Sequence, residues 1–382
     1  MDEGARKLGE RVLGEVREEG LSEVLDALRE LEVRKRLSSS TTPTPPGYFS
    51  IPALDSLLPS PLSPPILELI SPPPTHHSHS GKTSLLYLIT TLAILPPSFR
   101  SAPLSGKNTS IILFDPLHRF SVHRLAQIVL NYVVDQLRAH GQRIDEDEDD
   151  DATKTEIKSL VRNCLLHVHI FRPQSWGALL ASLDALPAYL FDATRHSSMQ
   201  RRVHALLLDD IDAFVPVLRN ERAGDSNSSG PANPLTAASV RLTSVLQRLA
   251  REFFCGIVLT GHSSSAASFR PSLPVAWAPR AGEAGRAAGD AARDTTTQST
   301  THQSVTPTRL AVRRIQVLKF APAISLEEAE AERQQRWDVV SKGRFECWRI
   351  GVGIAAGEGE GFVFRVGKGG VWVEEGEEKG GG

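Results

Sequence analysis

Short apolar runs recur along this chain, separated by longer stretches in which apolar residues return every three or four positions. The first pattern predicts buried strands and the second predicts amphipathic helices. Together they predict a mostly parallel central sheet with helices on both faces, an α/β fold. The predicted strands span 66–70, 109–114, 164–171, 203–208, 256–260, 310–319, 362–366 and 371–373, the last two forming a hairpin. The predicted helices span 84–95, 120–139, 176–191, 235–253 and 325–340.

The same patterns divide the chain into segments. Residues 1–36 are predicted to form a short N-terminal helical extension, with two amphipathic helices broken near Gly20. The apolar stripes of this extension suit either a cap packed on its own core or a surface that docks another subunit. Residues 37–47 form a Ser/Thr/Pro-rich linker, 48–375 form the core, and 376–382 form a loose tail. Disordered insertions are expected near 140–155, which holds an acidic run, and near 220–235 and 279–307.

Composition narrows the class of protein. The 382 residues are 40% hydrophobic, enough for one large core, and the net charge of −2 means that any nucleic-acid contact must be a local patch. Three widely spaced cysteines fit no metal or disulfide pattern, so we expect buried reduced thiols and a cytosolic or nuclear protein. The N-terminus is charged and the longest apolar run, 84–97, is too short to span a bilayer, so no membrane role is expected.

The strongest candidate chemistry lies between the first predicted strand and the first long helix. This stretch reads Ser80, Gly81, Lys82, Thr83 and Ser84, the end of a phosphate-binding loop. The first amides of a helix lack internal partners, and the helix dipole places partial positive charge there. A triphosphate could therefore dock on these amides, with the lysine on its outer phosphates and the threonine hydroxyl on Mg²⁺.

The loop departs from the full pattern, which has glycine five residues before Gly81, where this chain has His76. Pro72 to Pro74 also stiffen the entry, where glycine would let backbone approach a phosphate. A phosphate loop that is no longer used therefore remains an alternative. His76, His77 and His79 lack a fourth ligand at a suitable spacing, so a metal site there is not favoured.

Polar residues directly follow three predicted strands, where ligands bind in parallel sheets. Asp209 follows the strand 203–208 and is the candidate Mg²⁺ ligand, the Walker B position, although a strand-end turn would also use Asp. Asp115 could orient an attacking water, and Asp210 is a second candidate base. His262 could sense the outermost phosphate or be an ordinary loop residue. The close carboxylates Asp209, Asp210 and Asp212 would repel one another without a nearby cation.

Five segments in order resemble the RecA-type recombinase core, and more narrowly the X-ray-repair cross-complementing group of eukaryotic recombinase paralogues. They are SGKTSLLYLI, IILFDPLHRFSVHRLAQIV, HVHIFRPQSWGALLASL, HALLLDDIDAF and IVLTGH followed by RPSLPVAW. The later segments RLAVRRIQVLKFAP and KGRFECW support the narrower resemblance. The resemblance covers roughly residues 48–375 and implies a RecA-like P-loop NTPase core.

Carried onto this chain, the resemblance implies that Lys82 and Thr83 bind ATP and Mg²⁺ and that Asp209 is the Walker B carboxylate. It implies loops linked to single-stranded or branched DNA at Arg219 to Leu235 and Ser263 to Pro307. The second loop has four arginines, Arg270, Arg280, Arg286 and Arg293, but few aromatics on which bases could stack. The implied role is double-strand break repair by homologous recombination, in the nucleus, in a complex with other recombinase paralogue subunits.

One departure bears on catalysis. A catalytic RecA-type site has Glu two residues after the strand-ending Asp115, and this chain has Leu117 there. Leucine cannot accept a proton or orient water, so we expect ATP binding with weak or no hydrolysis. Two other interpretations stay open. One is an active P-loop ATPase or kinase of another family, with Asp115 or Asp210 as the base, and the other is an interaction scaffold that binds no nucleotide.

Overall fold

The computed structural model describes residues 47–60, 64–73, 81–142, 151–224, 234–264, 269–273, 277, 307–315, 343–351 and 360–374, with single positions at 24–31 and 325–333. Residues 1–46 and 47–382 form two separate compact units. In the first unit the described positions, Val24, Ala27, Leu28 and Leu31, are helical and exposed. The rest of the predicted N-terminal extension lies outside the described residues.

The second unit is built on a nine-stranded sheet with the order β11-β10-β9-β8-β1-β7-β6-β4-β5. Strands β1 and β4 to β8 pair in parallel, whereas β8 to β11 pair antiparallel at one side of the sheet. Strands β2 and β3 form a separate short hairpin. The strands are β1 (Ile66–Ser71), β2 (Ser98–Phe99), β3 (Ala102–Pro103), β4 (Ser110–Phe114), β5 (Val168–Phe171), β6 (Val203–Leu208), β7 (Gly256–His262), β8 (Thr308–Arg314), β9 (Arg344–Ile350), β10 (Gly361–Val366) and β11 (Val371–Val373).

Helices follow most of the parallel strands, and local caps show why some begin where they do. Ser121 accepts a hydrogen bond from the amide of Arg124, and Ser175 accepts one from Ala178, so each serine satisfies an amide of the first turn. The helices are α1 (Pro52–Asp55), α2 (Lys82–Ile94), α3 (Val122–Ala139), α4 (Asp151–Leu165), α5 (Trp176–Leu190), α6 (Val215–Gly224) and α7 (Pro234–Phe253), with a 3₁₀ turn at Ile211–Phe214.

The core has two layers, one on each face of the sheet. Alternate residues of a strand point to opposite faces, so Leu67 and Leu69 of β1 join one layer while Ile66 joins the other. The first layer packs α2, α3 and α4 against the sheet, and the second packs α5, α6 and α7. Helices therefore cover both faces, as the continuous apolar strands predicted, and the α/β class with a mostly parallel sheet is confirmed.

Several predicted elements are confirmed to within two residues, including β1, β4, β6, α5, α7 and the β10–β11 hairpin. The strand predicted at 164–171 is wrong in its first half, because Cys164 lies on the buried side of α4 and β5 begins at Val168. Helix α4 also occupies 151–155, where an insertion was expected. The 140–155 and 220–235 insertions otherwise fall largely outside the described residues, as do 279–307 and the tail.

Several elements were not predicted, among them helix α4, the 3₁₀ turn and the short strands β2 and β3. Helix α6 occupies 215–224 and so overlaps the start of the insertion expected near 220–235, and β9 occupies 344–350. Helix α1 is a single turn that begins after Ile51. The predicted helix at 325–340 is described only at single positions, of which Glu327, Glu328, Glu330 and Arg333 are helical. The cysteines are buried and unpaired, which confirms that part of the prediction.

Candidate functional site

Helix α2 begins at a glycine that no other residue could replace without strain. Gly81 is the N-cap of the helix and has φ of +81°, in the left-handed region that favours glycine. A Cβ at this position would also lie 2.6 Å from Cδ1 of Phe345 on β9. The backbone of Gly81 therefore turns the chain into α2 within a tight space, and the first amides of α2 lie at the carboxyl end of β1.

Asp209 lies directly after β6 and is joined to Thr83 of α2, 126 residues earlier in the chain. The Thr83 hydroxyl donates to Asp209 Oδ2 at 3.0 Å. The Thr260 hydroxyl, from neighbouring β7, donates to Asp209 Oδ1 at 2.6 Å. Asp209 is 2% exposed, and its own amide bonds to the carbonyl of Phe114 at the end of β4. The sheet therefore fixes this carboxylate from three strands and presents it to the start of α2.

Lys82 is buried and already bonded within the chain. Its Nζ donates to the carbonyl of Gly261 at 2.8 Å and lies 3.2 Å from Asp210 Oδ1. The other oxygen of Asp210 accepts from Nη1 of Arg119 at 2.5 Å. Lys82 and Asp210 are each at most 2% exposed at the side chain, whereas Arg119 is 51% exposed. One buried carboxylate thus bridges two cations.

His262 and Asp212 form the side of the site that follows β7. The His262 amide donates to Asp212 Oδ2 at 3.0 Å, and its ring Nδ1 lies 3.1 Å from the same oxygen and 3.6 Å from Asp210 Oδ1. Asp212 Oδ1 is buried and has no hydrogen-bond partner among the described residues. Asp210, Asp212 and His262 each place one potential ligand atom within 4.8 Å of the others. A metal ion could therefore bind to these three side chains, at this corner of the site.

Asp209 is difficult to ionise in this site. Burial and the neighbouring Asp210 carboxylate raise the pKa of Asp209 to about 6, so its charged form is held at a cost. Burial also favours neutral Asp212, but the hydrogen bond and charge of His262 lower its pKa below the ordinary value. A bound cation would relieve the repulsion that Asp209 experiences.

The described side chains at the start of α2 and the end of β6 could hold a metal ion and an anion. Thr83 and Asp209 supply oxygen atoms, the ligands that Mg²⁺ takes in proteins, and their hydrogen bond shows that both reach the same position. Lys82 and the amides that open α2 supply the positive charge that phosphates need. Ser84 is the third residue of α2 and is half-buried. His76 and Ser80 lie outside the described residues, and so does the rest of the loop that would wrap a phosphate.

Asp115 has a structural role in the turn after β4. Its Oδ1 accepts from the amide of Arg119 at 2.9 Å, and its Oδ2 accepts from the amide of Phe120 at 3.0 Å. The carboxylate therefore shapes the turn between β4 and α3, and that turn positions the Arg119 side chain. Leu117 in this turn is 43% exposed. The role of Asp115 in orienting water stays a prediction, with both of its oxygens already bonded to backbone.

Sequence reasoning missed Arg119, because only the turn after β4 brings it to Asp210, 91 positions later. The signal was an arginine shortly after a strand-ending aspartate. The expected DNA-linked loops are described only in part. Residues 219–224 belong to α6, 234–235 belong to α7, and Arg270 is exposed beside a bridge between Ser263 and Pro271. The other three arginines of the second loop, Arg280, Arg286 and Arg293, lie outside the described residues.

No protein-family model matches the chain, and no curated protein matches it. The fold itself defines an α/β protein with a large, mostly parallel sheet. Any function assigned to the site must be argued from the geometry of the site. Among the helices whose residues are described, none combines the length and apolar character that crossing a bilayer requires.

Proposed function

We propose that this chain binds a nucleoside triphosphate with Mg²⁺ at the carboxyl ends of β1, β6 and β7. The observation that carries the proposal is the Thr83–Asp209 hydrogen bond, which joins the start of α2 to the end of β6. A hydroxyl at a helix start, a buried lysine before it and a strand-end aspartate make up the residues that a P-loop site requires. Lys82 would contact the outer phosphates, and Thr83 and Asp209 would hold the metal ion.

We further propose that the bound nucleotide is ATP and that hydrolysis is weak or absent. Mg²⁺ would supply charge neutralisation to the phosphates when bound. Of the two candidate bases, Asp115 is bonded to backbone amides and Asp210 to two cations. Leu117 offers no acid–base group. These contacts support a site that retains its nucleotide rather than one that turns it over.

The resemblance to recombinase paralogues motivates a proposal for the cellular role. We propose that the chain is a nuclear subunit of a paralogue complex in double-strand break repair by homologous recombination. A nucleotide that binds only the folded, assembled state stabilises that state by mass action, so ATP would favour complex formation. DNA, single-stranded or branched, would then be contacted by the complex.

Calorimetric titration with MgATP tests the binding proposal. Wild type is expected to bind one MgATP per chain, and Lys82→Ala is expected to bind at least about tenfold more weakly, because a charge-assisted contact to phosphate is lost. Lys158→Ala, at an exposed position of α4, is the matched control and should bind as wild type does. Equal binding by wild type and Lys82→Ala, or no binding by either, would refute the proposed site.

Co-purification tests the cellular role. Tagged protein recovered from its own cells in the presence of MgATP is expected to carry other RecA-type chains, identified by mass spectrometry. Lys82→Ala is expected to recover fewer of them, and Lys158→Ala the same amount as wild type. Recovery of RecA-type chains that is indifferent to Lys82→Ala would favour the nucleotide-independent scaffold. Rapid MgATP turnover by the purified chain would favour an active ATPase of another family.

A further inference from the structure

We propose that Asp210 is an internal stand-in for a phosphate group, and that a bound triphosphate displaces it and takes over both Lys82 and Arg119. This inference rests on the proposed function and adds two points to it. It names Arg119 as a further phosphate-binding residue, and it makes occupation of the site depend on moving an anion that the chain itself supplies.

The contacts of Asp210 are those of a bound anion. Its Oδ1 lies 3.2 Å from Lys82 Nζ and its Oδ2 lies 2.5 Å from Arg119 Nη1. The carboxylate and Lys82 are each 2% exposed, so their half of the bridge is shielded from water and from salt screening. A lysine and an arginine that converge on one carboxylate present the same donors that a phosphate oxygen accepts.

The backbone holds Asp210 in this position. Its φ of +50° and ψ of +59° lie in the left-handed region, which is uncommon for a residue with a side chain. Its backbone amide donates a hydrogen bond to the Thr260 hydroxyl at 2.8 Å. The same hydroxyl donates to Asp209, so the conformation of Asp210 is linked to the candidate metal ligand.

Displacement is consistent with the exposure of the partners. Lys82 is enclosed, but Arg119 is 51% exposed and lies on a turn, so a ligand can reach the bridge from the Arg119 side. Two negative groups cannot share the Lys82 ammonium without repulsion, because like charges at close range in a buried site are costly. A triphosphate that binds Lys82 must therefore move the Asp210 carboxylate, and Arg119 is then free to pair with the phosphate.

Binding of MgATP and of inorganic tripolyphosphate by three variants tests the inference. Asp210→Asn removes the competing charge and is expected to bind both ligands about tenfold more tightly than wild type. Arg119→Gln is expected to bind both about tenfold more weakly, because a phosphate contact is lost. Asp184→Asn breaks an exposed pair with Arg248 and is the matched control, expected to bind as wild type does.

Asp210→Asn leaves Lys82 without its counter-charge, so thermal melting provides the second measurement. The melting temperature of ligand-free Asp210→Asn is expected to lie below that of wild type, and tripolyphosphate is expected to raise it by more than it raises wild type. Arg119→Gln alters a half-exposed side chain and keeps the test available if Asp210→Asn does not fold.

The outcomes separate this inference from the proposed function. Binding by wild type that is unchanged or weakened in Asp210→Asn would overturn the stand-in role, and unchanged binding in Arg119→Gln would overturn the phosphate role of Arg119. In both cases the proposed nucleotide site would stand. No binding of MgATP by wild type, Arg119→Gln or Asp210→Asn would refute the proposed function itself.

Discussion

His204 should make the protein markedly less stable in mild acid. This residue of β6 is 1% exposed, its ring stacks on Tyr48 at a centroid distance of 4.6 Å, and neither ring nitrogen has a hydrogen-bond partner among the described residues. Burial, with Arg202 and Lys107 nearby, lowers the pKa of His204 to about 3. The folded chain therefore excludes a proton that the unfolded chain accepts below about pH 6.5.

The magnitude follows from linkage. The folded pKa lies below the unfolded one, so no stability is lost above about pH 6.5, and the loss grows by about 1.4 kcal/mol per pH unit down to the folded pKa. Between pH 7 and pH 5 the His204 contribution to the free energy of unfolding falls by about 2 kcal/mol. Burial also lowers the pKa values of His167 and His169 to about 4, so wild type loses more than His204 alone explains.

Urea unfolding at pH 7 and pH 5, followed by tryptophan fluorescence, measures this loss. His204→Leu has a similar volume and cannot be protonated, so its loss between the two pH values should be about 2 kcal/mol smaller than that of wild type. His123→Leu, at an exposed position of α3, is the matched control and should lose as much as wild type. A difference between wild type and His204→Leu below about 0.5 kcal/mol would refute the reasoning.

Two further predictions concern Gly81 at the start of α2 and Tyr48 beside the start of β7. Gly81→Ala should lower the free energy of unfolding by more than the roughly 1–2 kcal/mol that a left-handed alanine costs, because its Cβ meets Phe345. Gly141→Ala shares the positive φ but has nothing within 4 Å of the added Cβ, so urea unfolding should show a smaller loss, and equal losses would argue against the contact. Tyr48→Phe should destabilise the chain by about 1–3 kcal/mol, since the buried amide of Gly256 loses its acceptor. A change within about 0.5 kcal/mol in the same assay would contradict it.

The sheet could be predicted because its strands are almost continuous apolar runs. In β6 every residue from Val203 to Leu208 is buried, so period and length agree on a strand covered on both faces. The ends of such strands then locate Asp209 and Thr260 from the sequence alone. The start of α2 could also be predicted, because Gly81 and Lys82 belong to a recognisable motif between a strand and a helix.

The wrong or missing secondary-structure predictions have physical causes. The run from Cys164 to Phe171 is apolar enough to suggest one strand, but its first part continues the buried stripe of α4 that includes Ile157 and Val161. Short apolar runs do not separate a strand from a buried helix turn by period alone. Strand β9 carries charged residues between buried ones, and its pairing with β8 and β10 decides its state.

The contacts within the site could not be predicted. The Lys82–Asp210 and Arg119–Asp210 pairs span 128 and 91 positions and depend on the conformation of two turns. A run of two aspartates after a strand does not reveal that Asp210 adopts a left-handed backbone and pairs with Lys82 and Arg119. Burial of His204 beside Tyr48 likewise depends on how the segment before β1 packs under the sheet.

Binding of Mn²⁺, followed by electron paramagnetic resonance, tests the central claim most directly, because Mn²⁺ replaces Mg²⁺ and reports its own occupancy. We predict one tightly bound Mn²⁺ per chain only when ATP is present, and loss of that ion in both Thr83→Val and Asp209→Asn. Mn²⁺ that binds without ATP, is retained in Thr83→Val and is lost in His262→Ala would contradict the claim. That result would place the cation at Asp210, Asp212 and His262 instead of between α2 and β6.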